Sequence, residues 1–290
     1  MSDLKGYRSI GVVCHDAGGA NQVLSFLETQ NNIDVKIYFE GPALKILQDS
    51  DFHDSQLDDF EKVFENVDLI LTGTGWASDL EYKAIVRAKN KNIYCISILD
   101  HWVNYRERFE RNSIEQYPNE VWVVDKYAEE KALNELPENI NIILSNDYYS
   151  DKISEGIKSY SDIKSNNLLY LCEPIRSNWQ RDELGEFQAL RFFLNHVHKI
   201  PENYNNIKLK LHPSEKKDKY NHIISKGKYD INFAGDSLIE EISKSTVVVG
   251  CHTYPLSLAL KTNRKAYCSI PPWGPNCKLP HKEIKYLRDL

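Results

Sequence analysis

At 290 residues the chain is long for one domain and of comfortable size for two, and 41% hydrophobic with 27% charged residues is the composition of a soluble globular protein. A formal net charge of -6 excludes broad electrostatic binding to nucleic acid or to an anionic membrane, and no apolar run approaches the roughly 20 residues of a bilayer span. The opening stretch MSDLKGYRS lacks the apolar core of a secretion signal and the six cysteines form no C-x-x-C pair. The chain therefore reads as cytoplasmic, with reduced thiols inside apolar runs and neither a disulfide framework nor a zinc site.

Strand-length apolar runs fall at 9–14 (SIGVVC), 34–39, 69–73, 93–99, 120–125 and 140–145, with helical segments predicted at 21–30, 43–50, 80–91 and 126–136. Runs apolar on both faces that alternate with helices indicate parallel strands covered on both sides, a doubly wound α/β pattern. The signal lapses over 148–167, which is polar and weakly helical. Alternation resumes with strands predicted at 168–173, 207–212, 231–235, 246–251 and 265–270, and helices at 186–199, 238–245 and 255–262. The stretch SEKKDKY (214–220) reads as a solvated helix face capped by Ser214. The expected architecture is two Rossmann-like α/β domains facing across a cleft: residues 1–150, a connecting helix and linker over 151–167, and residues 168–290.

In open parallel sheets, ligands bind beyond the carboxyl ends of the strands. The first strand ends in His15-Asp16, followed by Gly18-Gly19. The third runs into TGTGWASDLE, with Thr74 and Gly75, and the fourth into LDHWVNYRERF, with Asp100, His101, Trp102 and Tyr105. In the second half the strand ends are CEPIRSN (Glu173, Arg176, Ser177), LHPSE (His212, Pro213) and GCHTYP (His252, Thr253). Histidine stands at four of these six ends, more than polar turns require. Gly18-Gly19, with Asp16 as a helix N-cap, would also make an ordinary tight turn; His15 adds a titratable group that capping does not need. Trp102 and Tyr105 suit either a sugar-stacking surface or domain packing.

His212, placed at a sheet edge by the following proline, is suited to donate to a phosphate, and Thr253 with nearby backbone N–H groups to face the same anion. Glu240 or Glu241 would accept from ribose hydroxyls, with Arg176 and Ser177 beside a diphosphate. No G-x-G-x-x-G fingerprint or phosphate loop occurs; Gly73 and Gly75 lack the third glycine, and Glu40 reads as a turn residue. The D-x-D at 49–51 follows a helical segment in place of a strand end, so no metal and no cofactor are expected.

Two Rossmann-like halves, with His-Pro after a strand of the second half and a small polar turn before a later helix, resemble the GT-B glycosyltransferase superfamily. The similarity is nearest to bacterial enzymes using cytidine-nucleotide donors: sialyltransferase-like, Kdo-transferase-like and CDP-polyol phosphotransferase-like proteins. The resemblance implies that His212, in His212-Pro213, contacts the donor phosphate, as does the turn Cys251-His252-Thr253, which departs from the Ser-Ser pair usual there. It also implies a general base from the first domain, Asp16 or His15, and an acceptor side formed by Gly18, Gly19, Thr74, Gly75, Asp100, His101 and Trp102. The implied reaction is metal-independent transfer of a nonulosonic-acid or Kdo-like sugar from a CMP-linked donor to a surface glycan or lipid-linked acceptor, in the cytoplasm or at the inner membrane face. A GT-B-fold hydrolase or epimerase, a CDP-polyol phosphotransferase and a non-catalytic module of a polysaccharide-assembly complex remain as alternatives.

Overall fold

A computed structural model describes residues 4, 6–163, 165–225 and 228–290. Residues 1–3 and 5 of the opening stretch, and residue 164 of the expected linker, lie outside the described residues. The chain divides into two compact units, Met1–Lys152 and Ile153–Leu290.

The first unit contains β1 (Ser9–Cys14), α1 (Ala17–Leu27), β2 (Asp34–Phe39), α2 (Gly41–Gln48), β3 (Leu69–Thr72), α3 (Leu80–Asn90), β4 (Tyr94–Leu99), the short hairpin β5 (Glu110–Arg111) and β6 (Ile114–Glu115), β7 (Glu120–Val123), α4 (Lys126–Glu135) and β8 (Asn141–Leu144); α5 (Tyr148–Glu155) follows. Six strands form one sheet in the order β2-β1-β3-β4-β7-β8, every pair parallel. The chain leaves β1 for β2 on one side and crosses back to β3 on the other, so the topological switch lies between β1 and β3. Val12 pairs with Ile37 and Leu71 at the sheet centre and is fully buried. The apolar alternation that made these segments legible is the burial of both faces. On one face Phe26 of α1 meets Trp122 of β7 edge-on, ring centroids 5.0 Å apart, a geometry that adds about 1 kcal/mol beyond the buried area.

The second unit contains β9 (Asn167–Leu171), α6 (Gly185–His196), β10 (Asn206–Lys210), α7 (Asn221–Ile224), β11 (Ile231–Phe233), α8 (Leu238–Ser243), β12 (Ser245–Gly250), α9 (Pro255–Lys261), β13 (Lys265–Cys268) and β14 (Lys285–Tyr286). Its sheet is also parallel throughout, in the order β11-β10-β9-β12-β13-β14, with the switch between β9 and β12. Leu168, Leu209, Val247, Val249 and Phe193 form its core. Two Rossmann-like α/β units are thus the architecture anticipated from the periodicity. Among the described residues no helix is long and apolar enough to cross a membrane.

Two local expectations are corrected, and three short strands are added. Helix α1 starts at Ala17, not at residue 21, because Asp16 caps it by accepting from the Gly19 N–H; the glycine pair lies in the first helical turn. The stretch 214–220 is a series of turns, with the helix delayed to Asn221, because the Glu215 carboxylate folds back onto the His212 N–H and Ser214 caps nothing. The hairpin β5–β6 and the edge strand β14 are too short to show a period.

Gly11 shows how tightly the first sheet is covered. A Cβ there would land on the Val63 carbonyl oxygen and lie 2.7 Å from Ile70 Cδ1. Gly11→Ala should lower the free energy of unfolding by about 2–3 kcal/mol, the usual cost of overpacking, read as a lower urea midpoint at unchanged slope.

Candidate functional site

Polar residues gather at the carboxyl edge of each sheet, and at both switch points a carboxylate is the central group. In the first unit, Asp16 uses Oδ2 to accept from the Gly19 N–H at 2.9 Å, while its buried Oδ1 has no hydrogen-bond partner. Burial raises the Asp16 pKa, and the nearby Asp100 charge raises it further; the Gly19 N–H and the Arg108 charge pull the other way. Asp100 is itself held by Arg108, whose Nη1 lies 2.9 Å from Oδ1. The same Arg108 Nη1 donates to the Thr74 carbonyl (2.8 Å) and hydroxyl (3.0 Å), and its Nε to the Val103 carbonyl (3.1 Å).

A third carboxylate, Glu81 at the start of α3, is 1% exposed. Its Oε1 accepts from the His15 N–H at 2.7 Å, and its buried Oε2 has no partner. Burial raises its pKa. Three carboxylates thus gather here, and the Arg108 guanidinium acts on two of them, pairing with Asp100 and reaching Asp16 through charge. Gly75 separates two of them: a Cβ there would sit 2.8 Å from both Asp16 Oδ1 and Glu81 Oε1. The His15 ring packs against Gly41, whose φ of 55° is the left-handed region open to glycine.

The acceptor surface expected in this unit is largely absent. The side-chain positions of Gly18 and Gly19 are taken up by Asp100 and by Gly73 with Thr74, so these glycines serve close packing of α1. Thr74 is 2% exposed, donates to the Ile98 carbonyl and accepts from Arg108; Gly75 is buried. Trp102 and Tyr105, proposed for sugar stacking, are 3% and 0% exposed, and Trp102 Nε1 donates to Asp125. Their rings complete the core. His15, Asp16, Gly18, Asp100 and His101 are the partly exposed residues of the expected set. A group the sequence reading passed over, Trp76, is 61% exposed directly after Gly75.

In the second unit, Glu173 and His252 meet across the switch between β9 and β12. Glu173 Oε2 accepts from the His252 N–H at 3.0 Å, and Oε1 lies 3.1 Å from His252 Nε2. Burial pushes the Glu173 carboxyl up to about 7, against the His252 N–H and the Lys278 charge. One strand further, beyond β10, His212 is exposed, and its Nδ1 accepts from the Ser214 N–H at 3.2 Å. Nδ1 also lies 2.8 Å from the Ser214 hydroxyl, which can serve either tautomer; the backbone donor, which can only donate, favours the proton on Nε2. Glu215 fixes this turn: Oε2 accepts from the His212 N–H, and Oε1 from Lys219 and the Tyr220 hydroxyl. Beside the turn lies a cavity of about 390 Å³ lined by Pro174, Arg176, Ser214, Lys216 and Lys219 together with Glu186, Glu215 and Asp218. Lys219 is committed to Glu186 and Glu215, which leaves Arg176 and Lys216 as the exposed cations of that cavity.

Other expected donor contacts change. Pro213 and Ser177 are exposed, the Ser177 carbonyl accepting from the Gly185 N–H. Thr253 is half-buried, and two N–H groups near it are used locally, that of His252 by Glu173 and that of Leu256 by the Thr253 carbonyl, while Pro255 has none. Glu240 is not at this edge. It pairs with Lys244 and lines a cavity with Gly156, Lys158, Asp162 and Ser165, where β9 and β12 begin; Glu241 is buried beside Gly235. Among the described residues no group of three or more His, Cys, Asp or Glu is arranged to hold a metal ion.

No protein-family model matches the chain, and no curated protein matches its sequence. Solved structures do. Acinetobacter baumannii MurG aligns with a TM-score of 0.53 at 9% identity, over 90% of this chain and 78% of that one. Escherichia coli heptosyltransferase WaaC aligns at 11% identity over 96% and 92%, with TM-scores of 0.45 in its complex with ADP-2-deoxy-2-fluoro heptose and 0.44 with ADP. The likeness to MurG speaks to fold alone, a chain of two Rossmann-like α/β units.

Glu81 gives a test of this electrostatic picture. Its pKa is raised in the folded chain, so its favourable contribution is complete below the ordinary carboxylate range and is lost as pH rises through the raised value. Glu81→Gln removes that loss while keeping an oxygen for the His15 N–H. Relative to wild type, the variant should gain stability as pH rises above the ordinary carboxylate range, measured by denaturant titration at each pH; parallel curves would refute the buried-acid assignment.

Proposed function

We propose that the chain is a nucleotide-sugar-dependent glycosyltransferase in which Asp16 is the general base and the carboxyl edge of the second sheet binds the donor. The observation that carries this reading is Asp16 itself: a carboxylate at a switch point, with one oxygen unpartnered and its pKa raised by burial and by Asp100. A raised pKa makes a carboxylate a stronger proton acceptor near neutrality. The MurG-like fold, at 9% identity, supports the class.

In this mechanism an acceptor hydroxyl gives its proton to Asp16 while its oxygen attacks the anomeric carbon. The bond from that carbon to the donor phosphate oxygen breaks, and the electron pair leaves with the phosphate. His212 Nε2–H and Arg176 meet that charge. Asp100 and Arg108 keep Asp16 in position and hold its field constant. Glu173 and His252, one strand away from His212, complete the donor edge and orient the turn carrying Thr253. The resemblance of the His212-Pro213 turn to that of cytidine-nucleotide-dependent enzymes points to a cytidine nucleotide, and with it a nonulosonic-acid or Kdo-like sugar and a glycan or lipid-linked acceptor.

The test is a thermal-shift titration with CMP, CDP, UDP, ADP and GDP, followed by turnover with the selected nucleotide's sugar. A cytidine nucleotide should raise the melting temperature selectively, and His212→Ala should remove most of the shift. Asp16→Asn should leave the shift intact while lowering kcat by about 10²–10⁴. Stabilisation by a different base would move the donor. Absence of any shift would overturn the reading.

A further inference from the structure

Three cysteines meet at the carboxyl edge of the second sheet, and the proposed reaction uses none of them. Cys251 follows β12, Cys268 ends β13, and Cys277 lies in the loop between β13 and β14. The Sγ atoms of Cys268 and Cys277 converge on one acceptor, the Cys251 carbonyl oxygen, at 3.1 and 3.3 Å. They also interact with each other, which raises the Cys268 thiol and lowers that of Cys277. Cys268 is fully buried and Cys277 is partly exposed. One thiol is therefore reachable from solvent and acidified, and its neighbour is enclosed behind it.

The carbonyl they share belongs to the same peptide unit as the His252 N–H, which donates to Glu173. That peptide plane is gripped at both ends: two thiols on its oxygen, one carboxylate on its nitrogen. The loop is anchored by the Cys277 N–H donating to the Tyr286 hydroxyl, and its Lys278 acts on Glu173 through charge.

We infer that Cys268 and Cys277 form a modification site, a dithiol that small oxidised disulfides convert to an intramolecular disulfide, releasing the Cys251–His252 peptide. The Cys277 thiolate attacks one sulfur of a disulfide such as oxidised glutathione, whose other half leaves as a thiolate. Cys268, giving up its proton, then attacks the Cys277 sulfur of the mixed disulfide and expels the second half. Two protein thiols are oxidised and one glutathione disulfide is reduced to two thiols, so electrons and protons balance. Both S–H donors to the Cys251 carbonyl are lost in the product, and a buried carbonyl without its donors favours rearrangement of the turn. The chemistry stands apart from the transferase reading.

The experiment treats the purified full chain with oxidised glutathione and follows intact mass, thiol count, peptide mapping and amide hydrogen exchange. The expected product has lost two hydrogens with no retained glutathione, carries a Cys268–Cys277 link, and exchanges the His252 amide about tenfold faster, the factor for losing roughly one hydrogen bond. Dithiothreitol should reverse all three. Cys277→Ser keeps a donor for the Cys251 carbonyl, and should fold, retain the slow exchange and form no link. A stable glutathione adduct on Cys277, a link involving Cys251, or a native chain inert to the oxidant would overturn the proposal. A linked product whose His252 exchange is unchanged would overturn the coupling.

Discussion

The geometry of the first site depends on one buried cation. The Arg108 side chain is 5% exposed and the Asp100 side chain 14%, and the guanidinium also reaches the Val103 carbonyl and both oxygens of Thr74. Without it, Asp16 and Asp100 would be adjacent buried carboxylates with no compensating charge, an arrangement that costs several kcal/mol per ion. With it, Asp100 is fixed against Gly18, and Asp16 is poised by a field that has a defined source. The loop after β3 is tied down by the same group that balances the charge, so site geometry and site electrostatics cannot vary separately.

A second regularity joins the two units. The strand-end histidines His15, His212 and His252 each donate their backbone N–H to a glutamate: Glu81 at 2.7 Å, Glu215 at 3.0 Å and Glu173 at 3.0 Å. Where a strand ends, its backbone loses ladder partners and the exposed N–H must find an acceptor. A carboxylate from the following turn or from another strand end meets that need and sets the direction in which the chain leaves the sheet. In each case the histidine ring is positioned through its own backbone. The carboxylates are structural before they are electrostatic, and they keep the imidazole groups at fixed places along the two edges.

Much of this was legible from the chain itself. Both sheets follow from apolar runs buried on two faces, and the strand-end rule identified the edges where Asp16, Glu173, His212 and His252 lie. What was illegible depended on distant partners. Arg108 also ties to Thr74, 34 positions away, and Glu81 to His15, 66 positions away, and neither partnership leaves a local mark. Gly18 and Gly19 looked like an open turn because glycine gives the same signal when it admits a neighbouring side chain, here Asp100. Trp102 and Tyr105 carried an ambiguous pattern, resolved only by the core around them. Glu240 shares a short helix with buried Glu241, and one residue of rotation turns it out to a surface cavity.

The loop after β3 has a consequence of its own. Arg111 donates to the carbonyls of Gly75 and Ser78 and pairs with Asp79, while Arg108 holds Thr74, so the backbone on both sides of exposed Trp76 is fastened. A molecule arriving at that indole meets backbone that is already ordered. The entropy of arranging a loop, which commonly subtracts from the affinity of exposed aromatic contacts, was spent when the domain folded.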